Sequence, residues 1–214
     1  MGAADFDAFY RDNASFYGDR PALSLIYYLD KYNVQGGGLG LDLGCGQGRN
    51  ALFLAERGFS MCGMDQSAEA IATLGERADK LHLDVCGRVA DLGNSAQVDI
   101  KPRTYRIIVA YTLLDHLDPT AGECLAEAMM EGLVPGGFLF VSVFLRDDPG
   151  CCGRGGRASE TAAYIRHYYQ PGELRRQFGA LEPLAYQEEY ALDLSHGWAH
   201  HHSMARLFAR KPTH

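Results

Sequence analysis

Short apolar runs alternate with stretches of helical period along most of this chain, which predicts repeated βαβ units around a parallel sheet. Leu39, Leu41 and Leu43 open the first strand. A helix follows at 49–57, with Leu52, Phe53, Leu54 and Ala55 on its apolar side and Gly58 as its stop. The second strand is expected at 59–64. Ser67, an N-cap residue with Glu69 in the first turn, opens a helix to about Lys80. A third strand at 86–90 ends on Asp91, and Gly93-Asn94 marks the turn beyond it. Ile107, Ile108 and Val109 run consecutively within 105–111, as in a central strand buried on both faces. A helix at 119–133 leads through a tight turn at Pro135-Gly136-Gly137 into an apolar strand at 138–145. The glycine-rich 146–160 reads as an irregular active-site loop. A short helix at 171–178 and two strands, at 181–191 and 203–210 with a histidine-rich turn between them, complete the pattern. Ahead of the sheet, 1–35 is rich in aromatics, including Phe6, Phe9, Tyr10, Tyr17, Tyr28 and Tyr32, with a helix at 21–32 opened by Pro21. It reads as a helical lid on a Rossmann-like core at 36–214, the two forming one domain.

Composition narrows the function classes. The 214 residues, 47% hydrophobic and 22% charged, suffice for one full core. The 25 glycines have no three-residue period and accompany only 8 prolines, so they are local devices. A formal charge of -7 offers no positive field to phosphate backbones, and nucleic acid is not an expected partner. No apolar window approaches the span of about 18 residues that a membrane helix needs, and the acidic start at Asp5 and Asp7 lacks a secretory pattern. No membrane contact and a cytoplasmic location are therefore expected; oligomeric state is left open. Cys45, Cys62, Cys86, Cys124, Cys151 and Cys152 match no Cys-x-x-Cys spacing, which predicts free thiols.

The chemistry concentrates in DLGCGQGRN at 42–50, between a predicted strand and a predicted helix. Glycines there let the backbone approach a ligand, and the helix N-terminus offers amides. They fall at 44, 46 and 48, whereas a dinucleotide fingerprint wants its third glycine where Arg49 stands. Asp42, two residues before the first glycine, would repel a pyrophosphate yet suits an ammonium group, so an amino-acid-like cofactor is favoured over NAD. Asp65 ends the second strand, where a carboxylate accepts both hydroxyls of a ribose. Asp91 ends the third strand, beside Leu92, where a carboxylate can take an adenine amine while apolar atoms hold the ring.

The loop, the acid in GMDQS, VADL at 89–92 and LVPGGFLFVSVF at 133–144 together resemble the class I S-adenosylmethionine-dependent methyltransferases. Within them the GRN ending, YYQPGELRRQF at 168–178 and SMARLFARK at 203–211 resemble the tellurite-resistance, TehB-like group. The resemblance implies a doubly wound α/β fold, a seven-stranded sheet of order 3-2-1-4-5-7-6 with the last strand antiparallel and helices on both faces. It also implies methyl transfer from S-adenosylmethionine, leaving S-adenosylhomocysteine, to a small-molecule acceptor such as a tellurite-like oxyanion or thiol. The alternative is a non-catalytic S-adenosylmethionine-binding sensor or partner subunit. By similarity Gly44 and Gly46 meet the methionine part, Asp65 with Gln66 the ribose, Asp91 and Leu92 the adenine, and Tyr111 the region of the cofactor amine. Arg49 would meet the cofactor carboxylate and Tyr17 would close over it. Where the tellurite group carries arginines before the last strand, this chain has His196, His200, His201 and His202, a departure that bears on the acceptor.

A sulfonium methyl is already electrophilic, so the protein mainly aligns a nucleophile. If a base assists, His116, His196 and His200 are the candidates. His200 and His202 share a face if their segment is extended, but no paired carboxylate or cysteine is identifiable nearby. The expectation is accordingly a polar wall covered by Trp198, with no metal. Cys151-Cys152, Arg154 and Arg157 in the 146–160 loop suit a soft or anionic substrate and equally an ordinary solvated loop.

Overall fold

The computed structural model describes residues 3–12, 18–152, 157–158, 162–194 and 198–213. Two helices lead in, α1 (Ala3–Asp12) and α2 (Leu23–Lys31). They are followed by β1 (Leu39–Leu43), α3 (Arg49–Glu56), β2 (Ser60–Asp65), α4 (Ala68–Leu81), β3 (Val85–Val89) and β4 (Tyr105–Tyr111). The chain continues through α5 (Pro119–Gly132), β5 (Leu133–Phe144), the single turn α6 (Pro149–Cys152), α7 (Glu173–Gln177), β6 (Glu182–Asp193) and β7 (His200–Arg210). The strands lie in the order β3-β2-β1-β4-β5-β7-β6, with β1 to β5 parallel and β7 antiparallel to both its neighbours. Order and reversed strand are as the family resemblance implies. Among the described residues no helix is long and apolar enough to cross a membrane.

The two central strands alternate between two apolar layers, because successive strand residues point to opposite faces. Ile107, Val109, Phe138 and Phe140 pack with α2, α3 and α4, whereas Ile108, Ala110, Leu139, Val141 and Val143 pack with α5 and α7. Both faces are covered, which is why β4 reads as an unbroken apolar run. The helix starts follow from their caps. Ser67 Oγ accepts from Ala70 N at 3.1 Å, and Asp118 Oδ1 accepts from Thr120 N at 3.1 Å with Pro119 at the first helical position.

Three elements differ from expectation. Pro135-Gly136-Gly137 does not precede the strand but lies inside β5 as a bulge: Leu133 pairs with Tyr105 and Phe138 with Ile107. Gly136, at φ +74°, donates its N–H to Lys211 O, and Lys211 N–H returns to Gly137 O, so the ladder closes around the extra residues. The 146–160 segment is not wholly irregular, since Pro149–Cys152 forms one helical turn. His200, His201 and His202 belong to β7, paired with Asp193, Leu192 and Ala191 of β6, rather than to a turn. The ladder extends there because the hairpin keeps both strands in register past their apolar portion.

The two leading helices play different parts. α2 belongs to the core: Leu25, Tyr28 and Leu29 are buried, the Tyr28 ring stacks on Phe208 at 5.5 Å, and Ala22 N donates to the buried Asn50 Oδ1 at 2.9 Å. α1 instead rests on the start of α4, where Asp7 Oδ1 accepts from Ser67 Oγ at 2.6 Å and Arg11 pairs with Glu69 at 3.1 Å.

Candidate functional site

A cavity of about 320 Å³ opens at the C-terminal ends of β1, β2, β3 and β4, where open α/β sheets bind ligands. Gly44, Gly46, Arg49, Asp65, Gln66, Asp91, Leu92, Tyr111 and His116 all line it. The glycine loop that forms its floor is closely packed. Gly46 has φ +52°, and a Cβ there would stand 2.8 Å from the Tyr10 hydroxyl. Gly48 has φ +86°, and a Cβ would lie 2.1 Å from Leu74 Cδ1 of α4. The third glycine therefore serves close packing of α3's start against α4.

Asp65 is 7% exposed. Its Oδ2 accepts from Gly46 N at 2.9 Å and its Oδ1 from Ser67 N at 2.9 Å, so the carboxylate is fixed by the loop on one side and by α4 on the other. An ionised carboxylate accepts about four hydrogen bonds, so acceptor capacity remains for a ligand. Burial raises its pKa, opposed by the amides of Ser67, Gly46 and Gln66. Asp91 is exposed; its Oδ1 accepts from Gly93 N at 3.0 Å, which shapes the turn after β3, while Leu92 is buried beside it. The Arg49 guanidinium lies over the Tyr111 ring at 5.1 Å.

Asp42 is placed differently: it lies beneath the loop, 1% exposed, and does not line the cavity. Burial pushes its carboxyl up to about 7, against the pull of Arg49 and the amide of Ala51, with Asp65 adding to the rise. Its Oδ2 has no hydrogen-bond partner among the described residues. A buried carboxylate oxygen in that state is costly. It is relieved by a cationic or hydrogen-bonding group reaching the loop, so the residues present fit an amino-acid-like cofactor.

His116 meets the cavity from the turn after β4. Its Nδ1 stands 3.2 Å from Tyr164 O, a carbonyl that only accepts, so Nδ1 carries the hydrogen and Nε2 is left as acceptor. Burial lowers its pKa to about 4, with Arg166 lowering it further against the Tyr164 carbonyl. The ring is neutral at neutral pH. Of the other candidates, His200 is buried in β7 and does not line the cavity, because β7 lies two strands beyond β4 in the sheet. Tyr17, His196 and Arg154 lie outside the described residues. Arg157 stacks on the Trp198 ring at 3.6 Å, and Trp198 Nε1 donates to Ala158 O at 3.4 Å, so this ring packs on the 157–158 segment.

Several cavity residues escape the sequence reading. Phe6 and Tyr10 of α1 line the cavity, Phe6 lying edge-on to His116 at 6.1 Å between ring centres. Their aromatic character was the available signal; their position was not. Arg77, Tyr164 and Arg166 also line it, brought in from α4 and from the segment before α7. Thr112 has φ +51°, an unfavourable backbone for a β-branched residue, and its N–H donates to Ser142 O at 2.8 Å. No local pattern announces it.

The comparisons with known proteins bear on this site. A family model described as "Tellurite resistance protein TehB" matches residues 15–192. The curated "Probable S-adenosyl-L-methionine-dependent methyltransferase TehB" of Haemophilus influenzae (strain 10810) is 32% identical over 112 residues, 52% of this chain and 38% of its own length. A "Ubiquinone biosynthesis O-methyltransferase" of Idiomarina loihiensis is 29% identical over 111 residues, 50% of this chain and 42% of its own length. The chain thus spans about two fifths of these relatives. The crystal structure of TehB from Haemophilus influenzae superposes with a TM-score of 0.72 at 22% identity, over 96% of this chain and 66% of that one, a likeness of fold. Since the family match runs from residue 15 to residue 192, over most of the chain, the protein belongs to the TehB tellurite-resistance family.

Proposed function

We propose that this chain is an S-adenosylmethionine-dependent methyltransferase acting on a small molecule. The carrying observation is the pair of acids around the glycine loop: Asp65 fixed by two amides with acceptor capacity to spare, and Asp42 buried with an oxygen unpartnered among the described residues. Asp42 answers the positive charge of the methionine end, Asp65 with Gln66 receives the ribose hydroxyls, and Asp91 with Leu92 holds the adenine. Gly44 and Gly46 let the loop approach, Arg49 answers the carboxylate and Tyr111 closes the amine region. When bound, the cofactor supplies an electrophilic methyl group on its sulfonium.

The residues near the acceptor side favour alignment over proton transfer. With its pKa pulled down to about 4, His116 is a weak base at neutral pH. Arg166 brings a positive group to the same wall as His116 and Tyr164, which suits an acceptor that arrives already anionic, an oxyanion or a thiolate. Phe6 and Tyr10 exclude water from above. Family membership and the methyltransferase names of the curated relatives support the reading.

The test is thermal unfolding with S-adenosylhomocysteine and, as control, NAD. Ligand at about 100 times its Kd adds about 2.7 kcal/mol of stability, and the expected result is a rise in Tm with S-adenosylhomocysteine alone. Turnover is then read as S-adenosylhomocysteine released in the presence of tellurite or small thiols. No shift with either ligand overturns the reading; a shift without turnover of any acceptor converts it to a binding protein.

A further inference from the structure

His200 and His202 of β7 meet at the end of the β6–β7 ladder. His200 Nδ1 lies 2.6 Å from Trp198 O, and His202 Nδ1 lies 3.0 Å from Asp148 Oδ2. A carbonyl oxygen only accepts, so His200 Nδ1 carries its hydrogen. Asp148 accepts as a carboxylate does, with Oδ2 also receiving Ser203 N at 3.0 Å and Oδ1 receiving Gly150 N at 2.7 Å, so His202 Nδ1 carries its hydrogen too. In a neutral imidazole this places the lone pair on Nε2, and the two Nε2 atoms stand 2.9 Å apart. Two facing lone pairs at that distance repel, and the arrangement calls for a positive species shared between them.

That species is either a proton or a metal ion, and the geometry discriminates. A shared proton would use only the two rings, whose Nε2 atoms stand at hydrogen-bond distance; a third ligand atom is what points to a metal ion. Asp193, the ladder partner of His200, adds a carboxylate oxygen, and the three ligand atoms all lie within 4.8 Å of one another. Two imidazoles and a carboxylate suit zinc-type ions. The outer contacts are those of metal-bound histidines, whose second ring N–H is held by a backbone carbonyl or a carboxylate. Trp198 O and Asp148 supply one of each. We propose that His200, His202 and Asp193 form a binding site for a divalent transition-metal ion of the zinc type, where the end of β6 meets the start of β7, outside the residues that line the cofactor cavity. It departs from the sequence expectation of no metal, because the β6–β7 pairing sets Asp193 opposite His200 and the fold brings Asp148 to His202 from 54 residues away. The proposal is independent of the methyltransferase reading.

His201 provides an internal control. It points to the opposite face of β7 and stacks on Tyr190 at 5.1 Å, so it belongs to the same histidine run without sharing the site. The experiment is calorimetric titration of Zn²⁺ into the full chain, freed of metal by a chelator and carrying no polyhistidine tag. Co²⁺ is used in parallel for its visible absorption. One Zn²⁺ per chain is expected, unchanged in His201→Gln and weakened at least about 100-fold in His200→Gln and His202→Gln. Asp148→Asn, which disturbs the outer contact and leaves all three ligands in place, should weaken binding about 10- to 100-fold. Melting and S-adenosylhomocysteine binding check that each variant is folded; should the histidine variants fail to fold, the partly exposed Asp193→Asn carries the test. Absence of stoichiometric binding, affinity unchanged in the folded ligand variants, or imidazole proton resonances that show a shared Nε2 proton and do not respond to Zn²⁺ would each overturn the proposal.

Discussion

At the C-terminal ends of β1 to β4, polar groups converge on a cavity and are held mostly by backbone. Asp65 is fixed by two amides, and the glycine loop packs so closely that side chains are excluded. Where β5 ends beside the start of β7, side chains also hold one another: Asp148 grips His202, and His202 faces His200. The first region is built around the glycine loop and Asp65, about twenty residues apart, and is prepared to receive a ligand. The second draws on segments far apart in the chain, and its order depends on the hairpin staying in register. Backbone-fixed sites tolerate change around them, whereas side-chain networks fail when one member is lost.

Phe208→Ala gives the largest expected effect and asks whether the two regions share one frame. Its ring stacks with Tyr28 at 5.5 Å and Phe138 at 5.7 Å on the face opposite α7, and its removal should cost about 3–5 kcal/mol. Chemical denaturation followed by two probes, Trp198 fluorescence at the β7 edge and S-adenosylhomocysteine binding at the cavity, should show both lost together. A β7 edge that melts first would divide the molecule into two cooperative units.

Asp65→Ala comes next. Losing charge-assisted contacts should weaken S-adenosylhomocysteine by about 1.5–3 kcal/mol, roughly tenfold or more in Kd, with Zn²⁺ binding at the β6–β7 site unaltered. Calorimetry with each ligand measures both; equal losses would erase the distinction between the regions.

The smallest effect is the most specific. Asp42 carries a pKa of about 7 in the ligand-free protein, because burial disfavours its charge. Binding a positive group requires the ionised form, so S-adenosylhomocysteine affinity should rise by up to about tenfold per pH unit as pH climbs from 6 toward 7, then level off. The sign for stability is opposite. A folded-state pKa above the unfolded value contributes stability below about 4 that is lost as pH rises through 7. Asp42→Asn should flatten the binding profile and raise the ligand-free Tm at pH 8. A pH profile unchanged by the substitution would remove Asp42 from the ligand's charge balance.

The legible parts of the molecule are those whose partners are close in sequence or whose burial imposes a period. The β4 run, the Ser67 cap and the loop with Asp65 about twenty residues beyond it are local signals, and the strand order followed once they were joined to a family resemblance. What was not legible needs topology. Pro135-Gly136-Gly137 resembles any tight turn until the Lys211 backbone is seen to close around it. His200 and His202 look like a polar turn until Asp193 stands opposite and Asp148 arrives from the end of β5. Phe6 and Tyr10 announce only that their helix must cover something.

Ser67 caps α4 and also ties two other parts of the molecule together. Its N–H holds the Asp65 carboxylate, while its hydroxyl holds Asp7 on α1. One residue thus joins the acid assigned to the ribose with the helix that roofs the cavity. Thermodynamic reciprocity then applies: whatever factor a bound cofactor adds to the docking of α1, docking of α1 adds to the hold on the cofactor. A molecule that grips Arg11 and Glu69 on the outer surface would therefore tune cofactor affinity from a distance, entering no part of the cavity itself.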